Sequence, residues 1–229
     1  MACEIILVRH GQVRPCPTTF IIVLEPPCTR HSLNPPSSPS SAHRIQTEWN
    51  TEGRMQGHLD SPLTAEGVAV ASVAGRRLGR LARTWRPDVV VSSDLGRTQA
   101  TATALYAGAA EACGTWRDVP LKLDARLRER CFGDAQGYTR GEILAGKVGG
   151  APIDLDQMGT DARGASVRGG GETIEQVAER TMQCLNEIAG QYRRVVIVSH
   201  GGAIKVMTRY AGVAGACLCG VCVSVSVCL

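Results

Sequence analysis

Twice in this chain a short apolar run stops on a histidine followed by glycine. Ile5-Ile6-Leu7-Val8 leads into Arg9-His10-Gly11, and Val195-Val196-Ile197-Val198 leads into Ser199-His200-Gly201. Each run is too short for a helix, is rich in β-branched residues and lacks the alternation of a half-exposed strand, so each reads as a strand covered on both faces. Such strands belong to parallel sheets with helices on either side. The expected fold is therefore α/β, a three-layer α/β/α arrangement around a mostly parallel central sheet.

The rest of the chain supplies the missing layers. Asp88 to Ser93, with Val89, Val90 and Val91, is a third buried strand ending in the polar stretch Ser92-Ser93-Asp94-Leu95-Gly96-Arg97, and Leu121 to Leu123 is a weaker fourth. Thr64 is a natural N-cap for a helix whose apolar face would be Val68, Ala71, Val73, Ala74, Leu78 and Leu81, ended by Arg86-Pro87. Helices are also expected over Thr98 to Cys113, Thr173 to Tyr192 and from Ala203 to Tyr210, the second with Ile174, Val177, Met182, Leu185 and Ile188 on its apolar side. Gly133 to Gly171 is glycine-rich and poorly periodic, with one or two helical turns around Thr139 to Ala145, and reads as a cover over a site.

Two stretches do not fit this order. Residues 13–46 are crowded with prolines and a serine cluster from Ser37 to Ser41, and only Phe20 to Leu24 has strand character. Removing the segment joins Arg-His-Gly-Gln to Thr-Glu-Trp-Asn without a gap, so it is expected to be a foreign insertion, its ends compatible with a retained intron. After about Tyr210 the chain is low in complexity, ending in Val221, Val223, Val225 and Val227 alternating with cysteine and serine. The expected organisation is one domain over 1–210, interrupted at 13–46, followed by a tail at 211–229 that leaves the sheet incomplete at its C-terminal end.

Composition excludes several classes of function. The net charge is only +4, with no basic run, which argues against nucleic acid. No apolar segment is long enough for a bilayer, and no secretion signal opens the chain, so a soluble cytoplasmic protein is expected. Of the ten cysteines, Cys217, Cys219, Cys222 and Cys228 cluster, but without metal-site spacing or a nearby histidine, and no metal or other cofactor is expected.

Ligands of open parallel sheets bind beyond the carboxyl ends of the strands, where this chain sets Arg9 with His10, Arg97, and His200. Two guanidinium forks and two imidazoles suit a tetrahedral dianion. No Gly-x-x-x-x-Gly-Lys-Ser/Thr loop is present, so the site is not a nucleotide P-loop.

These residues resemble the histidine phosphatase superfamily, whose founding branch is the cofactor-dependent phosphoglycerate mutases. The resemblance rests on Arg9-His10-Gly11, Thr47-Glu48-Trp49-Asn50, Gly53-Arg54 with Gln56-Gly57, Asp60 to Gly67, Ser92-Ser93-Asp94-Leu95 with Arg97, Leu127-Arg128-Glu129, Gly133-Asp134 with Gln136-Gly137, Gly170-Gly171-Glu172 and Ser199-His200-Gly201. It implies His10 as nucleophile, Arg9, Arg97 and His200 around the phosphoryl oxygens, and Glu129 as the acid and base. It further implies Asn50 and Gly201 at the phosphoryl group, and Gln56, Gly57 and Arg130 on the substrate side. The Gly-Asp-x-Gln-Gly and Gly-Gly-Gly-Glu motifs resemble the phosphatase-like plant and algal branch. The expected activity is hydrolysis of a small phosphorylated metabolite. Two alternatives stay open: mutase-type phosphoryl transfer, and an inactive product of an aberrant transcript, since the insertion parts His10 from Asn50. Loss of the family's later strand is also expected to weaken the sheet edge beside His200.

Overall fold

The computed structural model describes residues 4–10, 21–23, 45–82, 84–148 and 169–210. Strands β1 (Glu4–His10), β2 (Ile21–Val23), β3 (Val89–Ser92), β4 (Leu121–Leu123) and β5 (Arg194–His200) form one sheet in the order β2-β1-β5-β3-β4. Four strands run parallel, and β2 pairs antiparallel with the outer edge of β1. The sheet is therefore the mostly parallel one expected. The strand beside which weakness was foreseen is an interior one: β5 lies between β1 and β3, so His200 borders no sheet edge. The tail at 211–229 lies outside the described residues.

Alternate residues of the same strands enter opposite cores, which is why the runs carry no polar alternation. Ile5, Leu7, Val89, Val91, Val195 and Ile197 pack with Cys184, Ile188, Ile204 and Met207 from helices α5 (Ile174–Gln191) and α6 (Gly201–Tyr210). Val8, Val90, Val196 and Val198 face the other way, onto Ala71, Leu78, Ala102 and Leu105 of α2 (Ala65–Leu81) and α3 (Gly96–Ala112). Two short helices, α1 (Glu48–Glu52) and α4 (Arg140–Leu144), sit in the connections.

Ile45 and Gln46, drawn in the sequence with the insertion, belong to the packed body. Ile45 is buried in the α2/α3 core, and the Gln46 carbonyl accepts from the Thr64 N–H at 2.8 Å. Residues 24–44 lie outside the described ones.

The face that α2 buries differs from the expected one. Val68 and Val73 are 43% and 40% exposed, whereas Ala71, Ala74, Gly75, Leu78 and Gly79 are buried. The cause is a close crossing with α3: a Cβ on Gly75 would stand 2.0 Å from the Leu105 carbonyl oxygen, and one on Gly108 2.0 Å from that of Ser72. Small residues let the backbones touch, and the valines turn outward. Replacing Gly108 by alanine is expected to force the helices apart and cost about 1–3 kcal/mol. A chemical-denaturation midpoint equal to that of the parent would contradict this packing.

Candidate active site

The polar carboxyl ends of β1, β3 and β5 lie together at one end of the parallel strands. In the β1–β5 register Arg9 pairs with Ser199 and His10 with His200, so the two His-Gly ends lie side by side.

His200 is 1% exposed, and its ring is held from both sides. Arg97 Nε donates to Nδ1 at 3.3 Å. Arginine can only donate, so Nδ1 carries the lone pair and Nε2 the proton, which points to Ser93 Oγ at 3.0 Å. Ser93 thus joins the site, and it was quoted in the sequence only as part of a strand-end motif.

Arg97 is equally buried, at 3% exposed. Its Nη1 donates to the Leu59 carbonyl at 2.6 Å and to Asp60 Oδ1 at 3.1 Å, and its Nη2 to the Gly57 carbonyl at 2.7 Å. Burial pulls the guanidinium pKa down, and the charges of Asp60 and Glu129 oppose that pull. The same Asp60 carboxylate accepts the Gly96 N–H and, at 3.2 Å, the Arg97 N–H. It therefore caps α3 from another part of the chain, and the helix begins at Gly96 rather than at the expected Thr98.

Glu129 lies across the site at the start of α6. Its carboxylate accepts the N–H groups of Arg130 at 2.9 Å, Gly202 at 2.9 Å and Ala203 at 3.1 Å. The unsatisfied amides and positive dipole end of the helix favour an acidic group there. Glycine at 202 is what admits it, because a Cβ would meet Glu129 Oε1 at 2.3 Å. This anchoring also starts α6 at Gly201, two residues before the expected Ala203.

His58, unmarked in the sequence, links the two halves. Its Nε2 donates to the Glu129 carbonyl at 2.9 Å, and its neighbour Gly57 receives Arg97. Burial lowers the His58 pKa, against the opposing pull of the Glu172 carboxylate. Gly201 is buried at the N-terminus of α6. Arg130, also buried, donates from Nε to the Glu172 carbonyl at 2.7 Å and stacks near the Phe132 ring.

Asn50 and Gln56 are brought together by Thr47. Thr47 Oγ1 donates to Asn50 Oδ1 at 2.9 Å and accepts from Gln56 Nε2 at 2.7 Å, while Asn50 closes the capping box of α1. With Oδ1 occupied, the Asn50 amide nitrogen is its remaining donor group. Gln56 Oε1 is buried without a hydrogen-bond partner. Among the described residues no cluster of metal-ligating side chains occurs. The four clustered cysteines lie outside them. No described helix is long and apolar enough to cross a membrane.

A model of the histidine phosphatase superfamily (branch 1) matches residues 46–216. The match begins just past the Pro/Ser-rich segment, so β1 is tied to the matched region through its pairing with β5. A glucosyl-3-phosphoglycerate phosphatase of Mycolicibacterium vanbaalenii is 38% identical over 176 residues, which cover 71% of this chain and 68% of that protein. A metal-independent phosphoserine phosphatase of Arabidopsis thaliana is 34% identical over 166 residues, covering 71% and 63%. The chain thus spans about two thirds of the length of these relatives. A solved mycobacterial glucosyl-3-phosphoglycerate phosphatase, in complex with VO3, superposes with a TM-score of 0.61 at 29% identity, over 91% of this chain and 81% of that one. The matched proteins include phosphoglycerate mutases as well as phosphatases. With three quarters of its length under the family model and the same α/β sheet, this chain belongs to the histidine phosphatase superfamily.

Proposed function

We propose that this chain hydrolyses small phosphate monoesters through a phosphohistidine on His10. The observation that carries the reading is the register of β1 with β5, in which His10 pairs with His200 at the mouth of the sheet. A ring nitrogen of His10 attacks phosphorus in line and displaces the alkoxide, which Glu129 protonates. Glu129, now a carboxylate, takes a proton from water as that water attacks the phosphohistidine. Phosphate departs, and His10 and the Glu129 acid are restored.

Arg9, Arg97 and His200 stabilise the charge on the phosphoryl oxygens. For Arg97 the group to offer is the second N–H of Nη2, whose other hydrogen is held by the Gly57 carbonyl, and a bond from it to an anionic oxygen is a strong one. Asn50 contributes its amide N–H and Gly201 the positive end of α6. Gln56, Gly57 and Arg130 line the substrate side. The unpartnered Gln56 Oε1 supports this assignment, since a buried acceptor gains from a donor brought by a ligand. The compartment in this reading is the cytoplasm.

Incubating the purified chain with an aryl phosphate, with phosphoserine, and with 3-phosphoglycerate plus its bisphosphate activator tests the proposal. Phosphate release is the expected result. Isomerisation without release would make the chain a mutase, and silence on every ester would favour the inactive reading.

A further inference from the structure

Arg180, in the middle of α5, makes five hydrogen bonds, and none reaches a group that reacts in the proposed chemistry. Its Nε and Nη2 hold the two oxygens of Glu172 at 2.7 and 2.9 Å. Nη1 donates to the carbonyls of Arg126 and Arg128 at 2.7 and 2.8 Å, and Nη2 also to that of Glu129 at 3.0 Å. One cation therefore ties the backbone on both sides of the Glu129 Cα.

Glu172 fixes the two residues after Glu129. Its Oε2 accepts the Cys131 N–H at 2.8 Å, its own N–H donates to the Cys131 carbonyl at 3.0 Å, and its carbonyl accepts Arg130 Nε at 2.7 Å. Burial alone would raise the Glu172 pKa, but the bonds from Arg180 and Cys131 outweigh it and hold the group ionised. The segment 126–131 is otherwise a 3-10 turn running into irregular chain, with no ladder to set its position. At the other end of the same residue, the Glu129 carboxylate must meet the N–H groups of Gly202 and Ala203.

We infer that Arg180, braced by Glu172, is a positioning residue that sets the acid/base carboxylate of Glu129 against the start of α6. The inference rests on the phosphatase reading for its catalytic meaning. Lysine at 180 keeps the charge opposite Glu172 but lacks the planar fork that reaches three carbonyls and a carboxylate together. A carboxylate displaced by about 1 Å loses up to about 100-fold in proton transfer.

The test compares the parent with Arg180→Lys, Arg180→Gln and Glu172→Gln on two esters. Nitrophenolate departs without a proton, whereas the serine alkoxide of phosphoserine requires one. The expected result is a loss in kcat/KM of about 10- to 100-fold on phosphoserine with much less change on nitrophenyl phosphate. Equal losses on both esters, or none, would overturn the inference.

Amide hydrogen exchange at Gly202 and Ala203 provides a readout that needs no turnover. It should quicken by about tenfold or more in Arg180→Lys while the melting temperature holds, because the Glu129 carboxylate no longer covers those amides. Exchange equal to the parent's would overturn the positioning role. If the parent itself hydrolyses neither ester, the phosphatase reading fails, and exchange alone decides whether Arg180 sets Glu129.

Discussion

His10→Ala is expected to lower phosphate release by at least about 10⁴-fold, the scale on which loss of a nucleophile acts. The other groups assigned to the phosphate in the proposed mechanism remain in this variant, so substrate affinity should change far less than turnover. The substitution lies at the last residue of β1, beyond the Ile5, Leu7 and Val8 positions that enter the cores, and the denaturation midpoint should stay near the parent's. A phosphohistidine is labile to acid and stable to base, which separates it from phosphoserine and phosphothreonine. Quenching the parent during turnover of a labelled ester should trap acid-labile label, and the His10→Ala protein should trap none. Retained turnover in His10→Ala would refute the nucleophile assignment.

Arg97→Lys is expected to reduce stability by about 2–4 kcal/mol, an unusually large effect for a change that keeps the charge. The guanidinium now satisfies the Gly57 and Leu59 carbonyls, Asp60 and His200 Nδ1 at once. A single ammonium cannot reach them all, and the two buried acceptors, the Gly57 carbonyl and His200 Nδ1, each cost about 1–3 kcal/mol when left without a donor. The substitution also frees the tautomer of His200. Without a fixed donor at Nδ1, the proton is no longer confined to Nε2, so the ring loses its set orientation toward Ser93. Turnover should therefore fall by about 10²- to 10³-fold in the protein that remains folded. Urea denaturation and kcat/KM measure the two effects separately, and a parent-like midpoint would show that the carbonyls do not depend on Arg97.

The two effects explain which parts of the site were legible in the sequence. Strand ends were, because a run such as Val195 to Val198 stops being apolar where the sheet stops being covered, and the histidine and arginine sit at that boundary. The starts of α3 and α6 were not. Their caps are Asp60, 36 residues from Gly96, and Glu129, 73 residues from Gly202, so no local pattern announces them. Likewise, a valine-rich face for α2 is a sound expectation for a helix on a sheet, but its glycines at 75 and 79 packed against α3 instead. The supporting work of Asp60, His58, Ser93 and Arg180 was hidden for a related reason: most of their partners are backbone groups, which any residue type supplies. A pattern such as Gly170-Gly171-Glu172 marks the place of Glu172 without saying what it holds.

The pairing of β1 with β5 also governs when the protein can work. Glu4 emerges from the ribosome first, yet its parallel neighbour Arg194 arrives only after nearly the whole described chain has been made. At roughly 5–20 residues per second that interval is on the order of ten seconds or more, during which β1 lacks its central partner. The short antiparallel β2 is made soon after β1 and offers an interim one on the opposite edge. A pocket shared between strands from opposite ends of a chain is assembled late by construction. A nascent chain that stalls before β5 therefore carries His10 without the His200 that the proposed mechanism sets beside it.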